Sequence, residues 1–262
     1  MSDPPETVLI TGASSGIGKA FADVFAADRA RLILVARNAA ALQNVGLELQ
    51  QKYQCDFRVI VGDLADPETC DSVFQQVTEI GWQVDVLVNN AGFGAHGEFS
   101  EIALERQLSM IQVNVSALVA LTHQFLPGMI SRGRGEILNV GSTAAFQPGP
   151  HAAVYFATKA FVLSFSEALW AEVRHRGVQV TCVCPGPTRT NFGKDYRMTE
   201  SAGFRWAGLE PTEVARLAVR ALRRQRRIVI TGGWNRCVVL LSRILPRRVL
   251  LWAADRFIRG PH

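Results

Sequence analysis

Residues 7–20 read TVLITGASSGIGKA. A strand-length apolar run, TVLIT, feeds a glycine-rich turn, and the turn opens directly into a stretch with Ala and Phe at helical spacing from Ile17 to Arg29. Glycine tolerates positive φ and lets backbone N–H groups approach an anion closely. A helix N-terminus adds partial positive charge, so Gly12, Ser14, Ser15, Gly16, Ile17 and Gly18 are expected to hold a pyrophosphate without a side-chain cation. A glycine-rich turn alone is a weak signal. Its position after a strand and before a helix points to a nucleotide.

The same alternation continues outward. Apolar runs of strand length recur at RLILVA (31–36), FRVIV (57–61), DVLVNN (85–90), GEILNV (135–140), VQVTCVC (178–184) and RIVIT (227–231). Most are continuous rather than alternating, as in strands covered on both faces of a parallel sheet. Helix-length segments separate them. Ala39 to Tyr53 carries Leu42, Val45 and Leu49 on one stripe; Asp66-Pro67-Glu68 is expected to open a helix as N-cap and Pro at N1. Glu101 to Arg132 accommodates two helical stretches with Asn114 near their join, Ala152 to Arg176 reads as one helix stopped at Gly177, and Pro211 to Arg224 as another. The expected fold is one doubly wound α/β Rossmann domain with about seven parallel strands and helices on both faces.

The chain has 262 residues, 48% hydrophobic and 19% charged, with a mean hydropathy of +0.12. These values exclude global disorder, and a chain of this size needs no disulfide or metal staple. The start, MSDPPETVLITG, shows no basic segment followed by an apolar run, so no secretory signal is expected. Cys55, Cys70, Cys182, Cys184 and Cys237 form no C-x-x-C pair, which argues against a metal site. Cys182 and Cys184 share one face of a strand and read as core residues, and free buried thiols suit a cytoplasmic chain. The formal charge of +5 is unevenly placed: from Arg216 onward twelve arginines face one acid, Asp255, a net +11 that leaves −6 on residues 1–215.

The second strand ends at Ala36-Arg37. Acid at this position would accept the adenosine ribose hydroxyls of NAD; alanine followed by a guanidinium instead suits the 2′-phosphate of NADP(H), which is expected to be preferred over NAD(H). Tyr155 and Lys159 are one helical turn apart and project from one face. A free phenol titrates near 10, and a neighbouring ammonium with an oxidised nicotinamide would favour its phenolate. Ser142, at the end of the fifth strand, and Asn114 keep it company.

TGASSGIG (11–18), GDL (62–64), NNAG (89–92), Asn114, Ser142, YFATK (155–159) and PGPTRT (185–190) together resemble the short-chain dehydrogenase/reductase family, in its order and spacing, across nearly the whole chain. The resemblance implies Tyr155 as general acid in carbonyl reduction and base in alcohol oxidation, and Lys159 as the group that lowers its pKa and holds the nicotinamide ribose. It implies that Ser142 bonds the substrate oxygen and that Asn114 positions a water relaying protons through Lys159. Asp63 and Leu64 would contact the adenine, Asn90, Ala91 and Gly92 would pass beneath the cofactor, and Pro185, Gly186, Thr188 and Thr190 would border the nicotinamide. A homodimer or homotetramer, paired through helices around 115–132 and 152–175, is likewise implied by resemblance.

Candidate pocket residues are Phe93, His96, Phe146 to His151, and a lid from Phe192 to Trp206; they are apolar and aromatic and suit a hydrophobic carbonyl or secondary alcohol. Residues 1–233 are taken as the dinucleotide-binding and catalytic domain. Residues 234–262 form a basic, apolar helical extension packed on it, with Pro246 at N1 of a second short helix. The extension reads as a flap over the substrate entrance, a subunit interface, or a peripheral membrane contact. Its arginines alternate with Leu and Trp, so no nucleic-acid partner is expected. Two alternatives to a carbonyl reductase are a 3-oxoacyl-carrier-protein reductase, with the basic extension docking an acidic carrier, and a nucleotide-sensing scaffold without turnover.

Overall fold

The computed structural model describes residues 5–190 and 208–259, with side chains through Arg256. Seven parallel strands form one sheet in the order β3-β2-β1-β4-β5-β6-β7. They are β1 (Thr7–Thr11), β2 (Arg31–Ala36), β3 (Phe57–Val61), β4 (Val86–Asn89), β5 (Gly135–Val140), β6 (Val178–Cys184) and β7 (Ile228–Ile230). The period of two along each strand sorts its apolar residues to opposite faces. Val8, Ile10, Leu32, Leu34, Val86 and Val88 meet one helical layer, made of α1 (Gly16–Ala27), α2 (Ala39–Tyr53) and α7 (Pro211–Arg223). Leu9, Ile33, Val35 and Leu87 meet the other, made of α3 (Thr69–Ile80), α5 (Ala117–Arg132) and α6 (Ala153–Val173). Both faces are covered, which is why the strands read as unbroken apolar runs.

Several boundaries differ from the sequence expectation. Helix α3 begins at Thr69 with Glu68 at its cap, not at Pro67. Asp66 instead closes a turn ahead of the helix, its Oδ1 accepting from Glu68 N at 3.0 Å and its carbonyl from Thr69 N at 3.2 Å. The Glu101–Arg132 region contains α4 (Leu104–Ile111) and α5, but their join is a π-helical turn over Gln112–Ser116 rather than a break. Leu104–Arg132 is long and apolar enough to cross a membrane by length and composition, yet Leu121, Phe125 and Met129 on it are packed in the core beneath the sheet. Helix α6 tightens into a 3-10 turn at Arg174–Arg176 before Gly177.

The order of strands reverses between β1 and β4, leaving a crevice at the carboxyl edge where such folds bind ligands. The extension continues as α8 (Gly233–Ile244) and α9 (Arg247–Arg259). Pro246 stands one position before α9, its carbonyl accepting from Val249 N and Leu250 N, so it caps the helix rather than occupying its first turn. Ala254 of α9 packs with Ala144, Ala152 and Phe156, and Tyr155 lies against that cluster. Of the five thiols, four are buried, Cys182 and Cys184 among them as expected; Cys237, on α8, is exposed.

Candidate active site

The turn between β1 and α1 is shaped by glycines that nothing larger could replace. Gly12 and Gly16 have φ of +66° and +55°. A Cβ on Gly18 would lie 2.1 Å from the Gly12 carbonyl oxygen. Ser15 is the N-cap residue of α1, yet no side chain caps the helix. The turn is therefore a cradle of backbone amides at a helix N-terminus, with space kept free of Cβ atoms, and it fits a dinucleotide pyrophosphate.

Neighbouring strand ends hold this cradle in place. Thr11 Oγ1 accepts from Asn90 N at 3.0 Å and Ala91 N at 2.9 Å, while Asn90 Nδ2 donates to Thr11 O at 2.8 Å. A β1 side chain thus fixes the NNAG segment beside the turn. From the far side, the loop after β6 reaches over: Thr190 Cγ2 would stand 3.3 Å from a Cβ on Gly16. Thr188 pairs with Leu209 and donates to Gly186 O at 3.0 Å. Arg37 is largely exposed just past β2, with Nη1 3.8 Å from Asp63 Oδ2, and Leu64 is buried beneath them.

The remaining four residues meet at the end of β5. Helix α6 places Tyr155 and Lys159 on one face, with Lys159 Nζ 5.9 Å from the phenol ring centre. Lys159 donates to Val140 O at 2.8 Å. Ser142 Oγ accepts from Ala144 N at 3.1 Å and hydrogen-bonds the Tyr155 hydroxyl. Asn114 sits in the π turn, fully buried, its Oδ1 accepting from Phe93 N at 3.0 Å and its Nδ2 donating to Phe93 O at 2.9 Å and Thr158 Oγ1 at 3.0 Å. A Cβ on Gly92 would fall 2.9 Å from Asn114 Oδ1 and 3.6 Å from Lys159 Nζ, so glycine leaves the passage between them open.

The electrostatics differ from expectation at one point. Burial pushes the Tyr155 phenol up to about 12, opposed by its hydrogen bond with Ser142. Lys159, with Nζ 5.9 Å from the phenol ring centre and donating to the Val140 carbonyl, does not offset this in the chain alone. Burial pulls Lys159 itself down to about 8, offset in part by the sulfurs of Cys182 and Cys184 beneath it.

A small cavity of about 30 Å3, partly open to solvent, adjoins Tyr155 and is lined by Ala95, Gly97, Phe99, Ile102, Gln107, Met110 and residues 151–154. Ala95 and Gly97 line it in place of Phe93 and His96, and Phe146 packs instead against Arg243 of α8, 6.0 Å from its ring centre. Residues 192–206, expected as a lid, lie outside the described residues. His151, with φ +60°, places Nδ1 3.2 Å from Glu98 Oε1 and Nε2 3.2 Å from Asp255 Oδ1. It joins the loop after NNAG to α9 at the cavity wall.

Two contributors were not anticipated. Gln107 is buried in the cavity wall, its Nε2 donating to Phe99 O at 3.1 Å and Ile102 O at 2.9 Å, while its Oε1 has no partner among the described residues. Asn235, in the first turn of α8, donates to Thr231 O at 2.7 Å and fills the space beside Gly186, where a Cβ would fall 2.2 Å from its Nδ2. Gln107 carries only the weak signal of a polar residue on an apolar helical stripe. Asn235 carries none.

Residues 6–201 match the family described as short chain dehydrogenase. An NADP-dependent 3-hydroxy acid dehydrogenase of Schizosaccharomyces pombe is 31% identical over 232 residues, 86% of this chain and 90% of that protein. The solved short-chain dehydrogenase from Sphingobium yanoikuyae in complex with NADPH has a TM-score of 0.81 and 31% identity, over 96% of each chain. The bulky-bulky ketone specific alcohol dehydrogenase from Comamonas testosteroni has a TM-score of 0.78 and 28% identity, over 93% of each. Fold and site define an oxidoreductase built around a dinucleotide crevice. The chain belongs to the short-chain dehydrogenase/reductase family.

Proposed function

We propose that the chain interconverts a hydrophobic carbonyl and its secondary alcohol with NADP(H), Tyr155 acting as the proton donor in reduction and acceptor in oxidation. The observation that supports it most is the Tyr155 hydroxyl bonded to Ser142 at the head of an apolar cavity, with Lys159 on the same helix face. A bound reduced nicotinamide supplies the hydride. The chain's residues do the rest. Ser142, whose oxygen is already engaged by the Ala144 amide, turns its O–H toward the substrate oxygen and the phenol. Tyr155, held protonated by burial, gives its proton to the oxygen as negative charge develops there. Lys159 holds the ribose hydroxyls, and Asn114 positions a water through which, by way of Lys159, that proton is restored. Gly12, Ser14, Ser15, Gly16, Ile17 and Gly18 hold the pyrophosphate, Asp63 and Leu64 the adenine, and Asn90, Ala91 and Gly92 pass beneath. Pro185, Gly186, Thr188 and Thr190 border the nicotinamide.

The largely apolar lining of the cavity favours a hydrophobic ketone or secondary alcohol. A structural neighbour's preference for bulky ketones points the same way. Residues 1–233 form the cofactor and catalytic unit, and 234–262 wall its substrate side. The exposed residues Leu104, Leu108 and Ile111 of α4 and Phe161 of α6 favour pairing of two chains through α6 and the short α4, rather than through the helix around 115–132. Buried free thiols favour a cytoplasmic, reducing setting.

Tyr155→Phe is expected to cut turnover about a thousandfold while NADPH affinity stays unchanged, measured by single-turnover kinetics and cofactor fluorescence. Near-normal turnover would overturn the assignment. Arg37→Ala is expected to weaken NADPH, and not NADH, by about one to two orders of magnitude, the worth of a charge-assisted pair. A second reading, reduction of a carrier-bound 3-oxoacyl group, draws on the arginines of the extension. It requires salt-sensitive kcat/KM on a carrier thioester and none on the free ketone.

A further inference from the structure

Helices α8 and α9 wear their apolar residues on the wrong side for a soluble surface. Of seventeen bulky apolar side chains that stand exposed among the described residues, nine fall between Trp234 and Trp252. On α8 the inward face is Asn235 and Val239, both buried. Trp234, Val238, Leu241 and Leu245 follow one another at spacings of four, three and four, one row along the helix. Trp234 is 72% exposed and Ile244 80%. On α9 Leu250 and Ala254 face inward, whereas Trp252, 69% exposed, points out between Arg248 and Arg256 at four residues on either side.

The charge around these rows is of one sign. Arg236, Arg243, Arg247, Arg248 and Arg256 accompany them, and the single acid of the segment, Asp255, is engaged by His151. A second copy docking here face to face would set these guanidiniums against their own copies with no carboxylate to pair. An anionic partner is complementary. Its surface must also accept exposed indoles and aliphatic chains beside arginines; a bilayer interface does this.

We infer that α8 and α9 dock the protein on an anionic lipid surface, Arg247, Arg248 and Arg256 at the headgroups and Trp234, Ile244 and Trp252 in the acyl boundary, while Arg236 and Arg243 are held by Ile230 O and the Phe146 ring. The inner face of α9 meets Ala152 and Phe156 beside Tyr155, so docking would bring the cavity to the membrane from which a lipophilic substrate can enter. The docking itself does not depend on the assigned reaction, because it is read without turnover.

The test is co-sedimentation of the full chain with sucrose-loaded vesicles of phosphatidylcholine alone and of an equimolar mixture with phosphatidylglycerol, at low and high salt. Binding is expected to the mixed vesicles and to weaken with salt. Arg247→Gln/Arg248→Gln should reduce it by roughly 25-fold, since each arginine near a charged leaflet is worth about fivefold. Ile244→Ser/Trp252→Ser should reduce it at least as much at every salt concentration, while both variants keep NADPH binding. No sedimentation with the mixed vesicles at low salt overturns the proposal. So does loss in the charge variant with none in the apolar one, which would mean plain electrostatic adsorption. If the apolar variant instead lowers the oligomeric state in sedimentation velocity, the face belongs to a second copy. Retention on an immobilised acidic peptide, without vesicle binding, would assign it to an acidic protein.

Discussion

Burial holds Lys159 at about 8, against an ordinary 10.5, so the folded chain binds this proton less well than the unfolded chain. The resulting cost to stability is full below pH 8 and is relieved as pH rises from 8 to 10.5. Lys159→Met, which keeps the volume and drops the charge, is expected to raise stability at neutral pH by about 1–3 kcal/mol while abolishing turnover. That advantage should shrink across pH 8 to 10.5 in denaturation followed as a function of pH. Tyr155 has the opposite sign: raised from 10 to about 12, its protonated form favours the fold below pH 10, and this is lost between 10 and 12. Carbonyl reduction should accordingly fall above about pH 8, as Lys159 loses its proton, rather than at the pKa of an unperturbed phenol.

At the scale of elements, the glycine turn, the strand runs and the Tyr155–Lys159 pair were legible because each is a local matter: side-chain periodicity, a φ requirement, or one turn of helix. The π turn at Gln112–Ser116 was not, since QVNVS suits an α-helix equally well and only packing selects the wider turn. Helix α3 begins late because Asp66 closes a turn of its own, a competition between two uses of one carboxylate. Asn235 was invisible because its place is set by the approach of β7 and α8 to Gly186, far away in sequence. Asn235→Ala is expected to cost about 1–3 kcal/mol, by leaving the Thr231 carbonyl short of a partner and a void beside Gly186. NADPH should bind less tightly as well, measured by thermal melts with and without cofactor.

Across the molecule, the extension of residues 234–262 is joined to the rest at its two most functional edges. Asn235 touches the loop after β6, and Asp255 touches His151 at the cavity. The sequence showed a basic apolar segment and left open what it covers; in the structure Ala254 and Asp255 of α9 lie against Ala152, Phe156 and His151. Asp255→Ala is expected to raise KM up to about fivefold, the worth of roughly 1 kcal/mol for a partly exposed pair, with kcat and NADPH affinity nearly unchanged. Steady-state kinetics at saturating NADPH would check it, and an equal fall in kcat would place Asp255 in the chemistry instead.

The wide turn that holds Asn114 has a last implication for how this helix tolerates change. Excising one residue between Gln112 and Ser116 would restore an unbroken α-helical ladder from Leu104 to Arg132 with both ends still presenting the faces they present now, because the wide turn is what absorbs the extra residue. A shorter, more regular chain would then keep its sheet and lose the aim of its buried amide.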